Sequence, residues 1–212
     1  MKRRLAVIGA GEMASQAIHF ANVDGRYMPV GVFVDYPENM DSFEGLKRLG
    51  KICDVEDAYS NGDFDYLFIA IGYKHLAYKQ SLHRMLKGKI PFATIIANAT
   101  YIDSTSAIGE DVIIYPGVII DKDVTIEDNA ILNLGSIISH NSVVGNSSFI
   151  GVSVAVSGFT KIGNCCFLGT SSTISDNISI CNNVIIGASA VVIRDIVEEG
   201  VYVGVPARKS PH

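Results

Sequence analysis

The chain has 212 residues, of which 48% are apolar and 18% charged, and it carries a net charge of −5. That length suits one large domain or two small ones. The absence of a basic stripe excludes nucleic acid as a partner, and no apolar run reaches membrane-spanning length, so no membrane partner and a cytoplasmic location are expected.

The low charge implies surface buried against other copies of the chain. The four cysteines, Cys53, Cys165, Cys166 and Cys181, form no CxxC and have no histidine at metal-ligand spacing. They read as reduced packing residues, and no metal is expected.

The chain opens with a basic then apolar stretch, MKRRLAVIGAG. Its apolar run, residues 5–8, is too short for a signal-peptide core and ends in a glycine turn. It reads instead as a strand entering Gly9-Ala10-Gly11-Glu12-Met13-Ala14, followed by a helix to about Asn22. Further strands are predicted at 29–34, ending at Asp35, at 66–71, ending at Gly72, and at 92–96, with a helix over 74–86. This alternation predicts an α/β domain over residues 1–97, a small parallel sheet of Rossmann-like topology.

A glycine-rich strand-to-helix turn lets backbone N–H groups approach a phosphate at the positive end of a helix dipole. Asp35, at the end of the next strand, can accept hydrogen bonds from a sugar or base. Gly9 and Gly11 also serve a tight turn with no ligand. The domain provides half of a dinucleotide fold and no catalytic domain, so a nucleotide-linked ligand fits better than NAD.

Residues 98–212 follow a different period. Every sixth residue from Ile108 to Val192 is Ile, Leu or Val, fifteen in succession. Every sixth from Val112 to Ile196 is nearly always small or β-branched. Neither a helical nor a simple strand period fits this spacing. Each hexad is a short strand and a turn with one large and one small residue inward, and three hexads make a coil of 18 residues. Residues 18 apart therefore stack, which sets Gly158 beside His140 and Asp123 beside Asn141. One outward column, Ile113, Ile131, Phe149, Phe167 and Ile185, is large and apolar. It reads as a subunit contact, or Phe149 lines an acyl pocket.

Of five histidines only His140 lies in the repeat, at an outward position. It is either a solvated surface residue or a general base. Imidazole, with a reference pKa of ~6.5, suits proton removal near neutral pH.

The combination resembles the sialic acid and bacillosamine acetyltransferase family over essentially the whole chain. The segments that carry the resemblance are GAGEMA, VFVDY, IAIGY, SHNSVVG, KIGNCCFLGTSSTI and YVGVPAR. It implies a left-handed parallel β-helix, a homotrimer, and acetyl-CoA in the groove between neighbouring helices. The first domain would bind a UDP-, dTDP- or GDP-linked amino sugar. The implied function is an acetyl-CoA-dependent N-acetyltransferase in surface-glycan biosynthesis.

By the same resemblance, His140 is the general base and the Gly158 amide polarises the thioester carbonyl. Thr170, Gly187 and Ala188 fall along the pantetheine arm, and Pro206 and Arg208 near the CoA nucleotide. Gly9, Gly11, Glu12, Met13, Asp35, Tyr36 and Gly72 surround the nucleotide sugar. Two positions depart from the family. The residue after the histidine is usually acidic and is Asn141 here, and a second histidine near the acetyl-CoA carbonyl is replaced by Phe149. Asp123, one coil below Asn141, is expected to help hold the charged form of His140.

Four alternatives stand beside this. Sugar O-acetylation makes a similar demand on the base. A non-catalytic nucleotide-sugar scaffold would need no base. A zinc enzyme of the γ-carbonic-anhydrase kind would need several histidines in the repeat. An NAD-linked oxidoreductase would need a larger first half.

Overall fold

The computed structural model describes residues 2–36 and 40–211 and divides into two compact units, Met1–Ala97 and Asn98–His212. In the first unit the strand β1 (Arg3–Ile8) leads into the helix α1 (Glu12–Asp24) and back to β2 (Tyr27–Phe33). A short hairpin follows, β3 (Ser42–Phe43) and β4 (Leu46–Gly50), then α2 (Val55–Ser60), β5 (Tyr66–Ile69) and α3 (Leu76–Leu86). The sheet order is β3-β4-β2-β1-β5, and every pair except the β3–β4 hairpin is parallel.

β1 is buried along residues 5–8 and runs in the sheet between two parallel neighbours, which explains its unbroken apolar character. Phe33, Phe64, Leu67, Ile69, Leu82 and Leu86 build the core that holds α3 and the sheet together. The hairpin and α2 are absent from the sequence reading. Their residues, SFEGLKRLG and VEDAYS, carry too few apolar positions to show a period. The strand expected at 92–96 is split into a parallel bridge from Phe92 to Leu67 and a two-residue strand at Ile95–Ile96.

The second unit is a parallel β-helix. Two-residue strands stack 18 apart into sheets: Ile119 pairs with Ile137, Thr125 with Val143, and Ile131 with Phe149. Amides donate to carbonyls of the next coil, as Ile119 N–H does to Ser136 at 3.0 Å. All fifteen residues of the Val112 column are buried, as are fourteen of the fifteen in the Ile108 column; Ile108 itself, in the first coil, is half-buried. The hexad rule therefore gives the β-helix core residue by residue.

The turns repeat as strictly. At every sixth position from Asp111 to Ser189 the backbone is left-handed, with φ between 53° and 78°. Thirteen of these fourteen residues are Gly, Asn, Asp, Ser or Cys, small or locally hydrogen-bonding types suited to that region. The exception is Phe159.

Candidate active site

His140 opens the turn between the strands Ile137–Ile138 and Val143–Val144. Three neighbours fix it. The Asn141 side-chain oxygen lies 3.2 Å from Nδ1, a contact that suits the neutral tautomer in which Nδ1–H donates to it and Nε2 keeps the free lone pair. Asn141 adopts the left-handed turn conformation at φ 58°, which asparagine tolerates. Gly158, one coil on, lies under the ring: a Cβ there would stand 2.6 Å from Cε1 and 2.9 Å from Nε2. No side chain fits at that position while His140 holds its pose. Phe159 meets the imidazole edge-to-face, centroids 5.1 Å apart at 84°.

Behind the surface an inner hydroxyl ladder holds these turns in register. Ser142 Oγ donates to the Ser157 carbonyl at 3.1 Å and accepts from the Thr160 amide at 3.1 Å. Thr160 Oγ1 repeats the pattern one coil on, donating to the Ser175 carbonyl at 3.1 Å. The small residues of the repeat thus tie the His140 and Gly158 coils together. The Gly158 carbonyl accepts from Asn177 at 3.0 Å, while its N–H has no partner among the described residues and is available as a donor.

Asp123 sits one coil below Asn141, exposed, with its carboxylate 3.7 Å from the Lys122 ammonium. It makes no hydrogen bond to Asn141 or His140. The direct contact therefore comes from Asn141, and a through-space attraction is the only route left to Asp123.

Thr170 and Ala188 are exposed and Gly187 half-buried, and all three lie at the turn between two sheets, the one containing Leu168 and Ile186 and the one containing Thr173 and Val191. His140 borders the opposite edge of the latter sheet, after Ile137–Ile138. One chain does not bring the two groups together. Phe149 is 8% exposed and stacks flat on Phe167, centroids 5.1 Å apart at 7°. With Ile113 and Ile131 also buried, most of that column needs no second subunit to cover it.

Pro206 and Arg208 belong to the tail. Gly200–Val203 adds in parallel to Val184–Ile186, and Arg208–Lys209 folds back antiparallel on it. Arg194, Asp195, Tyr202, Arg208 and Lys209 line a cavity of about 250 Å³; Lys209 is paired with Glu198 at 2.9 Å, which leaves Arg194 and Arg208 as the guanidinium groups suited to a phosphate.

In the first unit the glycines separate into two classes. Gly9 has φ 117°, and a Cβ would lie 2.8 Å from the Ala70 carbonyl oxygen, so the fold requires it. Gly11 and Gly72 have no left-handed φ, and a Cβ on either would meet nothing within 4 Å. Their bareness is not a packing demand and leaves space for a ligand to approach backbone. Gly11 caps α1, whose first amides, including those of Glu12 and Met13, lack intrahelical acceptors.

Asp35 accepts the Ile52 amide at 2.9 Å and, with Tyr36, lines a cavity of about 440 Å³. The other walls are Lys51, Ile52, Cys53, Tyr78 and Met85, none of which the sequence reading placed in a site; Cys53, expected there as a packing residue, is exposed. A usable signal was present: Tyr78 and Met85 are large apolar residues seven apart on one exposed face of α3. Burial, then the Asp35 charge, raises the Tyr78 phenol above its ordinary value.

The chain is similar over most of its length to solved structures. Perosamine N-acetyltransferase from Caulobacter crescentus, in complex with CoA and GDP-perosamine, is 26% identical with a TM-score of 0.88, covering 96% of this chain and 95% of that one. A histidine-to-asparagine variant of that enzyme, with the same ligands, aligns at 25% identity and a TM-score of 0.91, covering 98% and 97%. The acetyltransferase domain of PglB from Neisseria gonorrhoeae, in complex with acetyl coenzyme A, shares the fold at 22% identity and a TM-score of 0.88, covering 99% and 100%. No curated protein matches the sequence. The resemblance seen in the sequence therefore holds in the structure, whose neighbours are acetyltransferases of this kind. A family model, the GMPPB C-terminal domain, matches residues 91–203, more than half of the chain, and the chain belongs to that family.

Proposed function

We propose that the protein is an acetyl-CoA-dependent N-acetyltransferase acting on a nucleotide-linked 4-amino-deoxy sugar. The observation that carries this reading is the His140 constellation: a ring anchored at Nδ1 by Asn141, free at Nε2, and packed on a glycine with an unpartnered amide. A likeness above 0.85 in TM-score to an enzyme that holds CoA and GDP-perosamine supports it.

In this mechanism the sugar amine attacks the thioester carbonyl carbon. His140 Nε2 takes the proton the amine loses, and the Gly158 N–H donates to the oxygen as it gains charge. The tetrahedral intermediate then collapses, the C–S bond breaks, and CoA leaves as the thiol with the proton returned by His140. Asn141 orients the ring in place of the usual carboxylate, and Asp123 adds a screened through-space attraction. Thr170, Gly187 and Ala188 run along the pantetheine arm, Phe149 backs it, and Pro206 and Arg208 meet the CoA nucleotide.

The first unit is read as a Rossmann-like domain for the nucleotide sugar. Gly9 shapes the turn, while Gly11, Glu12, Met13 and Gly72 supply backbone and Asp35 and Tyr36 flank the 440 Å³ cavity. The second unit is read as a left-handed β-helix that trimerises. Tyr101, Ile119 and Ile137 form a column on one sheet, 56%, 43% and 41% exposed, more apolar surface than a solvated face needs. This sheet has His140 at one edge and Thr170 and Ala188 at the other. A second copy against it lets the base of one chain serve acetyl-CoA held by the next. The product would enter surface-glycan synthesis.

The test is a thiol assay of CoA release with acetyl-CoA and a panel of UDP-, dTDP- and GDP-linked 4-amino sugars. Turnover on at least one amine is expected. Turnover only on hydroxyl acceptors assigns O-acetylation instead, and binding without turnover on either class makes the protein a scaffold.

A further inference from the structure

Phe159 stands out on three independent grounds. It holds φ 56° at a turn position where the other thirteen residues are Gly, Asn, Asp, Ser or Cys. An aromatic side chain gains nothing from the left-handed region and is strained there. Its ring is 53% exposed, so no core packing offsets that strain. And the ring meets His140 edge-to-face at 5.1 Å. A residue that costs the fold stability and leaves apolar surface in water, beside a candidate base, is placed for a ligand.

The geometry limits which ligand. An amine deprotonated by His140 must come within about 3.2 Å of Nε2. In a 4-amino sugar that nitrogen is bonded directly to the ring, so the ring itself passes beside an aromatic 5.1 Å from the imidazole. The C–H groups of a pyranose give it an apolar face, and a deoxygenated carbon widens that face. A phenyl ring offers matching flat area, whereas the acetyl methyl would cover only a fraction of it.

We infer that Phe159 is a specificity-determining residue that stacks on the apolar face of a deoxy amino sugar and selects it against fully hydroxylated sugars. This rests on the N-acetyltransferase reading above. The same contact keeps water from the imidazole on that side while the acceptor is bound.

The experiment compares wild type with Phe159→Asn and Phe159→Tyr, using acetyl-CoA and the nucleotide-linked amino sugar that wild type turns over. Asparagine is already used at Asn141 and Asn177 in the same turn column, so the fold accepts it. Phe159→Asn should raise the KM for the amino sugar about tenfold, as expected for a lost stacking contact. It should leave the KM for acetyl-CoA within about twofold and raise the melting temperature by about 2–4 °C as strain is relieved. Phe159→Tyr, which keeps the ring, should retain the wild-type KM. Unchanged acceptor KM in Phe159→Asn, or a rise confined to acetyl-CoA, overturns the inference and leaves the acetyltransferase reading intact. A change in oligomeric state with no acceptor effect at matched assembly also overturns it, and makes Phe159 an interface residue. If wild type acetylates no amino sugar on the panel, both fall together.

Discussion

At the residue scale, the site depends on close approach more than on charge. Gly158 is needed because any side chain would meet His140, not because of its own backbone angle. Gly158→Ala should therefore leave the fold intact and lower kcat by about a hundredfold through displacement of the imidazole. Circular dichroism and steady-state kinetics check this; a kcat within twofold of wild type would show that His140 does not use this pose. The histidine and the glycine were legible in the sequence because stacking at 18 residues places them together. The role of Asn141 was not. A substitution for an acid reads as a loss, whereas the structure shows the amide oxygen holding Nδ1. Asp123 shows the converse: the column places it correctly, but its side chain turns to Lys122. Phe159 was missed because its signal is conformational, a φ value at a position whose residue type alone says little.

At the scale of elements, the two halves differ in how much the sequence discloses. The β-helix repeats one packing solution, so each hexad corroborates the next. The first unit uses each solution once, and its hairpin and short α2 carry weak patterns, which is why the wall formed by Lys51, Ile52 and Cys53 was not foreseen. The inner ladder of the β-helix also makes a chemical prediction. Cys166 takes the place of an inner serine, donating to the Cys181 carbonyl at 3.1 Å. Burial pushes its thiol up to about 11. Since the thiolate is the reactive form, raising its pKa suppresses alkylation at pH 8. The Cys53 thiol is also raised, by its hydrogen bond to Asp54, but it is exposed, so in the native protein iodoacetamide should modify Cys53 and spare buried Cys166 until the chain unfolds, as read by peptide mass spectrometry. Labelling of both at one rate would mean that the coil opens readily.

At the scale of the whole molecule, the proposed function calls for more than one chain. His140 and the residues assigned to pantetheine flank one sheet from opposite edges, and that sheet exposes Tyr101, Ile119 and Ile137. An Ile119→Asp substitution adds a charge to the centre of that column without touching the inner core. It should convert the proposed trimer to monomer in light scattering and abolish acetyl transfer while binding of the nucleotide sugar persists. A fully active monomer would place the whole site within one chain. Low charge in the sequence pointed to assembly, but only the structure identifies which apolar column stays open. The Phe149 column, the more obvious candidate in the sequence, is largely covered already.

The central claim is that His140 removes the proton from a sugar amine that is attacking acetyl-CoA. The most direct measurement is the single-turnover rate of acetyl transfer by His140→Ala, with both substrates saturating and their binding confirmed by calorimetry. A fall of about 10²–10⁴-fold with near-normal affinities is predicted, the contribution expected of a general base. A transfer rate within a few-fold of wild type would contradict the account.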